Sequence, residues 1–130
     1  MTAYEGGCFC GRVRFRAEGA PVNVRVCHCR MCQRVTGQPF FARALFATEQ
    51  VAIEGEPQWF ASSDDLSRGF CPTCGTTLFS RRGSAGRTSV ALAALDDPSA
   101  LSPTDHFWVE SRVAWLKLDD GLPQHPQAAP

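Results

Sequence analysis

Val22-Asn23-Val24-Arg25-Val26-Cys27-His28-Cys29-Arg30-Met31-Cys32 is the stretch on which the fold turns. Val22, Val24 and Val26 alternate with polar residues, the period of a half-buried strand, and run directly into three cysteines. Upstream, Arg12-Val13-Arg14-Phe15-Arg16-Ala17 alternates in the same way, and Gly19, Ala20 and Pro21 turn the chain between the two. Downstream, strand-like stretches recur at 40–46, 50–53, 58–61, 76–80 and 88–95. Each is short, rich in β-branched or aromatic residues and bounded by Gly, Pro, Ser or Asp. Helical turns are expected at 31–35 and near Asp97-Pro98, and the Ala- and Leu-rich run 92–95 also admits helix. The expected fold is mainly β, in a single domain with short helical turns.

The seven cysteines fall into three groups: Cys8-Phe9-Cys10, then Cys27, Cys29 and Cys32, then Cys71-Pro72-Thr73-Cys74. An odd number cannot pair fully within one chain. Met1-Thr2-Ala3-Tyr4-Glu5-Gly6-Gly7 has neither the basic nor the apolar part of a signal peptide. Both features point to reduced thiols in a cytoplasmic protein, and hence to metal ligation. A four-plus-three division is the natural one. Cys8, Cys10, Cys71 and Cys74 would close a structural zinc site and staple the first strand to the second half of the chain. Cys27, Cys29 and Cys32 would hold a second zinc with one coordination position left for water or substrate. Two other arrangements satisfy the same spacing: one four-thiolate site with three reduced buried cysteines, or the middle group paired with Cys71 or Cys74. Gly75 suits the turn after the last pair because it takes a positive φ at little cost.

At 130 residues, with 44% hydrophobic and 20% charged residues, the composition is that of one folded domain. Thirteen basic residues balance thirteen acidic ones, so nothing global favours a nucleic acid or an anionic membrane as partner. No apolar run is long enough to span a bilayer. No seam for an oligomer is legible.

Gly6-Gly7-Cys8-Phe9-Cys10-Gly11, Cys27-His28-Cys29-Arg30-Met31-Cys32-Gln33-Arg34, Thr36-Gly37, Pro39-Phe40 and Phe70-Cys71-Pro72-Thr73-Cys74-Gly75-Thr76-Thr77-Leu78-Phe79 occur here in that order. With His106-Phe107-Trp108-Val109 and the 115–123 segment, they resemble the glutathione-dependent formaldehyde-activating enzyme family, which includes centromere protein V relatives. The resemblance covers residues 4–123. It implies one zinc-binding domain of Mss4-like β-tent fold; beyond it, 124–130, rich in proline with little to bury, is expected to be a mobile tail. It also implies that Cys8, Cys10, Cys71 and Cys74 hold the structural zinc, and that Cys27, Cys29 and Cys32 hold the catalytic one.

The activity implied is that of a carbon–sulfur lyase making or breaking S-hydroxymethylglutathione, with glutathione as co-substrate and a small-molecule thiol or thiol adduct as partner. The alternative is a non-catalytic zinc-binding interaction module of the same fold. Arg34, two positions past the second cluster, is the first candidate for a glutathione carboxylate, ahead of Arg43, Arg81 and Arg82. In an extended segment His28 points away from Cys27 and Cys29, so it is not assigned as a ligand. His106 is expected to support packing and His125 to lie in the tail. Phe40, Phe41, Phe70, Phe79, Trp108 and Trp115 are core candidates. Asp64-Asp65 and Asp96-Asp97 are expected in turns or caps.

Overall fold

In the computed structural model, residues 2–129 are described. They form ten strands: β1 (Ala3–Gly7), β2 (Arg14–Glu18), β3 (Asn23–Cys27), β4 (Phe41–Ala47), β5 (Val51–Glu54), β6 (Gln58–Ala61), β7 (Leu66–Phe70), β8 (Thr77–Arg82), β9 (Arg87–Ala91) and β10 (Asp105–Phe107). One short helix, α1 (Arg30–Thr36), follows β3. The strands make a three-stranded sheet in the order β1-β2-β5 and a seven-stranded sheet in the order β10-β3-β4-β9-β8-β7-β6. All pairings are antiparallel except β10 on β3.

The alternation in β2 decides which face is buried. Phe15 and Ala17 point inward and are almost fully covered, while Arg16 and Glu18 face out. Val13 and Phe15 meet Ala44, Phe46, Leu78, Phe79 and Val90 of the larger sheet in one core. Phe15 packs edge-on against Phe79 with ring centroids 5.5 Å apart, and Trp59 stacks on the same ring at 5.8 Å. Gly6 lies where the small sheet meets the chain after β9. A Cβ there would stand 2.3 Å from the Ala94 carbonyl oxygen and 2.8 Å from the Leu95 Cα. Because both are backbone atoms, Gly6→Ala is expected to cost about 1–3 kcal/mol, read as a lowered midpoint in denaturant.

Seven expected strands and the helix at 31–35 have counterparts among these elements. β1, β7 and β10 were not expected. β1 carries two glycines, β7 has Ser67, Arg68 and Gly69 in its middle, and β10 has three residues; none shows a readable period. The run 92–95 begins as a 3-10 turn, Leu92–Ala94, after β9 ends at Ala91. The helix expected at Asp97-Pro98 is corrected to a single turn, in which the Asp97 carboxylate accepts from the Ser99 N–H at 3.0 Å. Asp65 accepts from the Ser84 N–H, and Asp96 receives two hydrogen bonds from Arg14.

The segment after Pro123, expected to run free because of its prolines, is hydrogen-bonded here through Gln127. The His125 N–H donates to His106 O at 2.9 Å, and Gln127 O receives the Trp108 N–H at 3.0 Å. The His125 ring meets Asp105 at 3.0 Å. Proline removes a donor but leaves its carbonyl, and the carbonyls of Pro123 and Pro126 are among those used.

Candidate metal centres and cavity

Cys8 and Cys10 sit on the turn after β1; Cys71 and Cys74 occupy the turn from β7 to β8. The four sulfurs lie within 4.8 Å of one another. Cys10 Sγ is 3.6 Å from Cys8 Sγ and 3.7 Å from Cys71 Sγ. A zinc–sulfur bond of about 2.3 Å gives a tetrahedral edge of roughly 3.8 Å, whereas a disulfide needs about 2.05 Å. The donor set therefore fits a four-thiolate metal site, and all seven cysteines are free thiols. Local backbone prepares it. Cys8 Sγ accepts the Val13 N–H at 3.2 Å, and the Gly75 N–H closes on Cys71 O at 2.8 Å with Gly75 at φ 79°. The Thr76 hydroxyl, 3.1 Å from Cys74 Sγ, is the main reason this thiol is pulled down to about 5.

The second cluster is local in sequence. Cys27 ends β3, Cys29 caps α1 and Cys32 lies in its first turn, with the three sulfurs again within 4.8 Å. The Cys29 sulfur accepts the Cys32 N–H at 3.3 Å, so one residue serves as helix cap and as donor. The thiols share charge unequally. Hydrogen bonding from Cys27, then Cys32, drives the Cys29 thiol down, and hydrogen bonding to Cys29 drives Cys27 up. Cys29 is the least covered of the three. Three thiolates and a free fourth direction are the donor set of an open zinc site, and the cluster fits one.

His28 contributes no atom to that cluster. Its ring is fully buried; Nε2 lies 2.9 Å from His106 Nδ1, and His106 Nε2 lies 2.7 Å from an Asp120 oxygen. Burial, then the neighbouring His106, lowers His28 to about 4. Gln33 ties this region together from α1, donating to His28 O at 2.8 Å and to Ser111 O at 2.9 Å.

A cavity of about 480 Å³ opens beside the three thiols. Cys27, Cys29 and Cys32 share its wall with Phe41, Phe107 and Trp108, and with three arginines: Arg43, Arg68 and Arg82. Arg68 is only 3% exposed and donates to Cys32 Sγ at 3.6 Å. The Arg43 guanidinium lies over the Phe107 ring at 5.2 Å and bonds Asn23. Burial lowers it to about 10, against the opposing pull of Cys27, so it stays charged at neutral pH. Arg82 stands at the rim, half exposed, 3.7 Å from Asp65.

The structure sorts the arginines differently from the sequence. Arg34 is exposed on the last turn of α1 and does not line this cavity. Arg81 stacks on Trp59 at 4.4 Å and donates to Thr88, away from the site. Arg68 has no sequence signal, because Ser67-Arg68-Gly69 carries no motif; only the pairing of β7 with β8 buries it beside the thiols. Of the aromatic core candidates, Phe41 and Phe79 are buried, whereas Trp115 is 72% exposed and Phe40 lies at the surface. Trp108 is the only non-glycine residue with positive φ among the described residues, at 58°. That conformation costs a bulky residue roughly 1–2 kcal/mol.

Fold and clusters together define a small β domain with two cysteine clusters, one of four sulfurs and one of three, each of which could hold a metal ion. The chain belongs to the glutathione-dependent formaldehyde-activating enzyme family, whose model matches residues 3–111. An uncharacterized lyase of Schizosaccharomyces pombe is 33% identical over 79 residues, which are 61% of this chain and 58% of that protein's length. The crystal structure of a Rhodobacter sphaeroides protein superposes with a TM-score of 0.60 at 24% identity, covering 76% of this chain and 91% of that one. At that identity the likeness speaks for the fold alone. Among the described residues no helix is long and apolar enough to cross a membrane.

Proposed function

We propose that the protein is a zinc-dependent carbon–sulfur lyase that makes and breaks a glutathione–aldehyde adduct of the S-hydroxymethylglutathione type. The observation that carries this reading is the open three-thiolate cluster facing a cavity walled by three guanidinium groups. The volume is within the range of small-molecule sites. In the forward direction the thiolate sulfur of glutathione adds to the aldehyde carbon, and the carbonyl oxygen takes a proton. The reverse step breaks the same carbon–sulfur bond. Zinc held by Cys27, Cys29 and Cys32 would supply a positive centre that favours thiolate over thiol near neutral pH.

The chain's own residues do the rest. Arg68 offsets the charge that accumulates on Cys32. Arg43 inside and Arg82 at the rim, both lining the cavity, would take the two glutathione carboxylates. Phe41, Phe107 and Trp108 keep water from the sulfur. Such thiolates need a reducing compartment, so the working location is the cytoplasm.

The test is exchange between labelled formaldehyde and its glutathione adduct, followed by NMR with zinc-loaded protein. Exchange well above the uncatalysed rate, abolished in Cys29→Ser, is expected. Exchange at the background rate with both centres filled would leave a zinc interaction module as the better reading. Arg43→Ala and Arg82→Ala are each expected to raise KM for glutathione roughly tenfold with little change in kcat, since each removes a charge-assisted contact made throughout the reaction. Arg34→Ala is the comparison on exposed helix surface, expected to shift KM less than about twofold.

A further inference from the structure

Trp108 wants an explanation that the thiol site alone does not give. It packs against the Cys27, Cys32 and Phe41 cluster, lines the cavity, and is held in a left-handed conformation that side chains of its size avoid. What holds it is the segment 123–127. The Trp108 N–H donates to Gln127 O at 3.0 Å, and the next two N–H groups donate to His125 O at 3.0 Å and Pro126 O at 3.2 Å. On the other side of Trp108, His106 exchanges hydrogen bonds with Pro123 O and the His125 N–H, both at 2.9 Å. Two side-chain bonds anchor the same segment: His125 to Asp105 at 3.0 Å and Gln127 to Glu110 at 3.2 Å. Every backbone donor from Trp108 to Glu110 is therefore spent on this strap.

We infer that Trp108 is a specificity-determining wall of the thiol cavity, and that residues 123–127 are a positioning strap that sets its ring. This rests on the proposed function for its substrate, but not for its geometry. The strap contributes no atom to the cavity; it acts only through the conformation of Trp108. Released from the strap, Trp108 relaxes toward negative φ and its ring leaves the wall beside Cys27 and Cys32. The bound thiol then loses apolar cover, which weakens binding more than it alters the chemical step.

The test uses His125→Pro, which deletes one backbone donor and the Asp105 contact while keeping the chain whole, beside a chain ending at Pro123. Trp108→Gly provides the background in which the left-handed conformation costs nothing and no ring remains. With Trp59→Phe and Trp115→Phe making Trp108 the sole tryptophan, both strap variants should red-shift its emission and increase its quenching by acrylamide. This readout needs no glutathione, so it stands even if the lyase reading falls. With glutathione, each strap variant should raise KM on the order of tenfold at nearly unchanged kcat and zinc content. In the Trp108→Gly background the same strap changes should add less than about twofold, because their effect passes through the missing ring. Unchanged Trp108 emission in His125→Pro would overturn the inference. So would a KM penalty of full size in the Trp108→Gly background, or a strap variant that loses its second zinc.

Discussion

Cys29→Ser is expected to reduce adduct exchange on the order of 100-fold or more while leaving the protein folded. On the proposed loading of one ion per cluster, zinc content should fall from two per chain to about one. The reason for so uneven an effect is that the second centre is local. Its ligands lie within one strand end and the first turn of α1, so the metal closes only a very short loop. Serine is also among the best helix caps, so the bond to the Cys32 N–H survives the exchange of sulfur for oxygen. Stability should change by no more than about 1–2 kcal/mol. Thermal denaturation together with metal analysis checks both halves: a stable one-zinc protein without exchange activity is expected, and full activity in the one-zinc protein would contradict the site.

The corresponding change at the first centre should do the opposite. Cys71→Ser places a hydroxyl at a position with no exposure and opens a link between residues 61 apart in the chain. By the chain-entropy estimate, closing a loop of that length contributes about 4 kcal/mol, before the loss of metal-binding energy itself. For a domain of this size that amounts to a fall in Tm on the order of 15 °C, a large share of ordinary domain stability. The chain should express poorly or as aggregate, and chelation of the parent protein should give the same result slowly. A Tm within about 3 °C of the parent would show that the two sheets hold together without this staple.

The grouping of the cysteines into a distant and a local cluster was legible in the sequence because cysteine spacing is a strong signal. Three groups with two-residue or one-residue gaps leave few ways to converge, and the structure brings together the two sets that spacing suggested. Alternation located β2 and β3 for the same reason: one face of each packs inward. The signal failed where burial is asymmetric or the strand is short. β7 buries Arg68 and Gly69, and no periodicity of apolar residues can reveal a strand whose inward residues are charged or lack side chains. The hydrogen bonds of the tail have no sequence signal for a different reason. They use backbone carbonyls, which every sequence has, meeting donors in β10 and the turn after it.

The arginines show the same limit in the candidate site. Proximity in sequence favoured Arg34, two positions from Cys32, but a helix of seven residues turns that side chain outward. Arg68 and Arg82 arrive from β7 and β8, far along the chain, and Arg43 from the strand paired with β3. The charge that balances the thiolates is a property of the sheet's pairing order, which the sequence does not display.

The central claim, an open thiolate metal centre that receives a thiol sulfur, is tested most directly by titrating cobalt(II)-substituted protein with glutathione and following its visible absorption. Glutathione should perturb the bands that are missing in Cys29→Ser, S-methylglutathione should not, and the bands of the Cys8, Cys10, Cys71 and Cys74 cluster should stay unchanged. A spectrum indifferent to saturating glutathione, with cobalt present in both clusters, would contradict it.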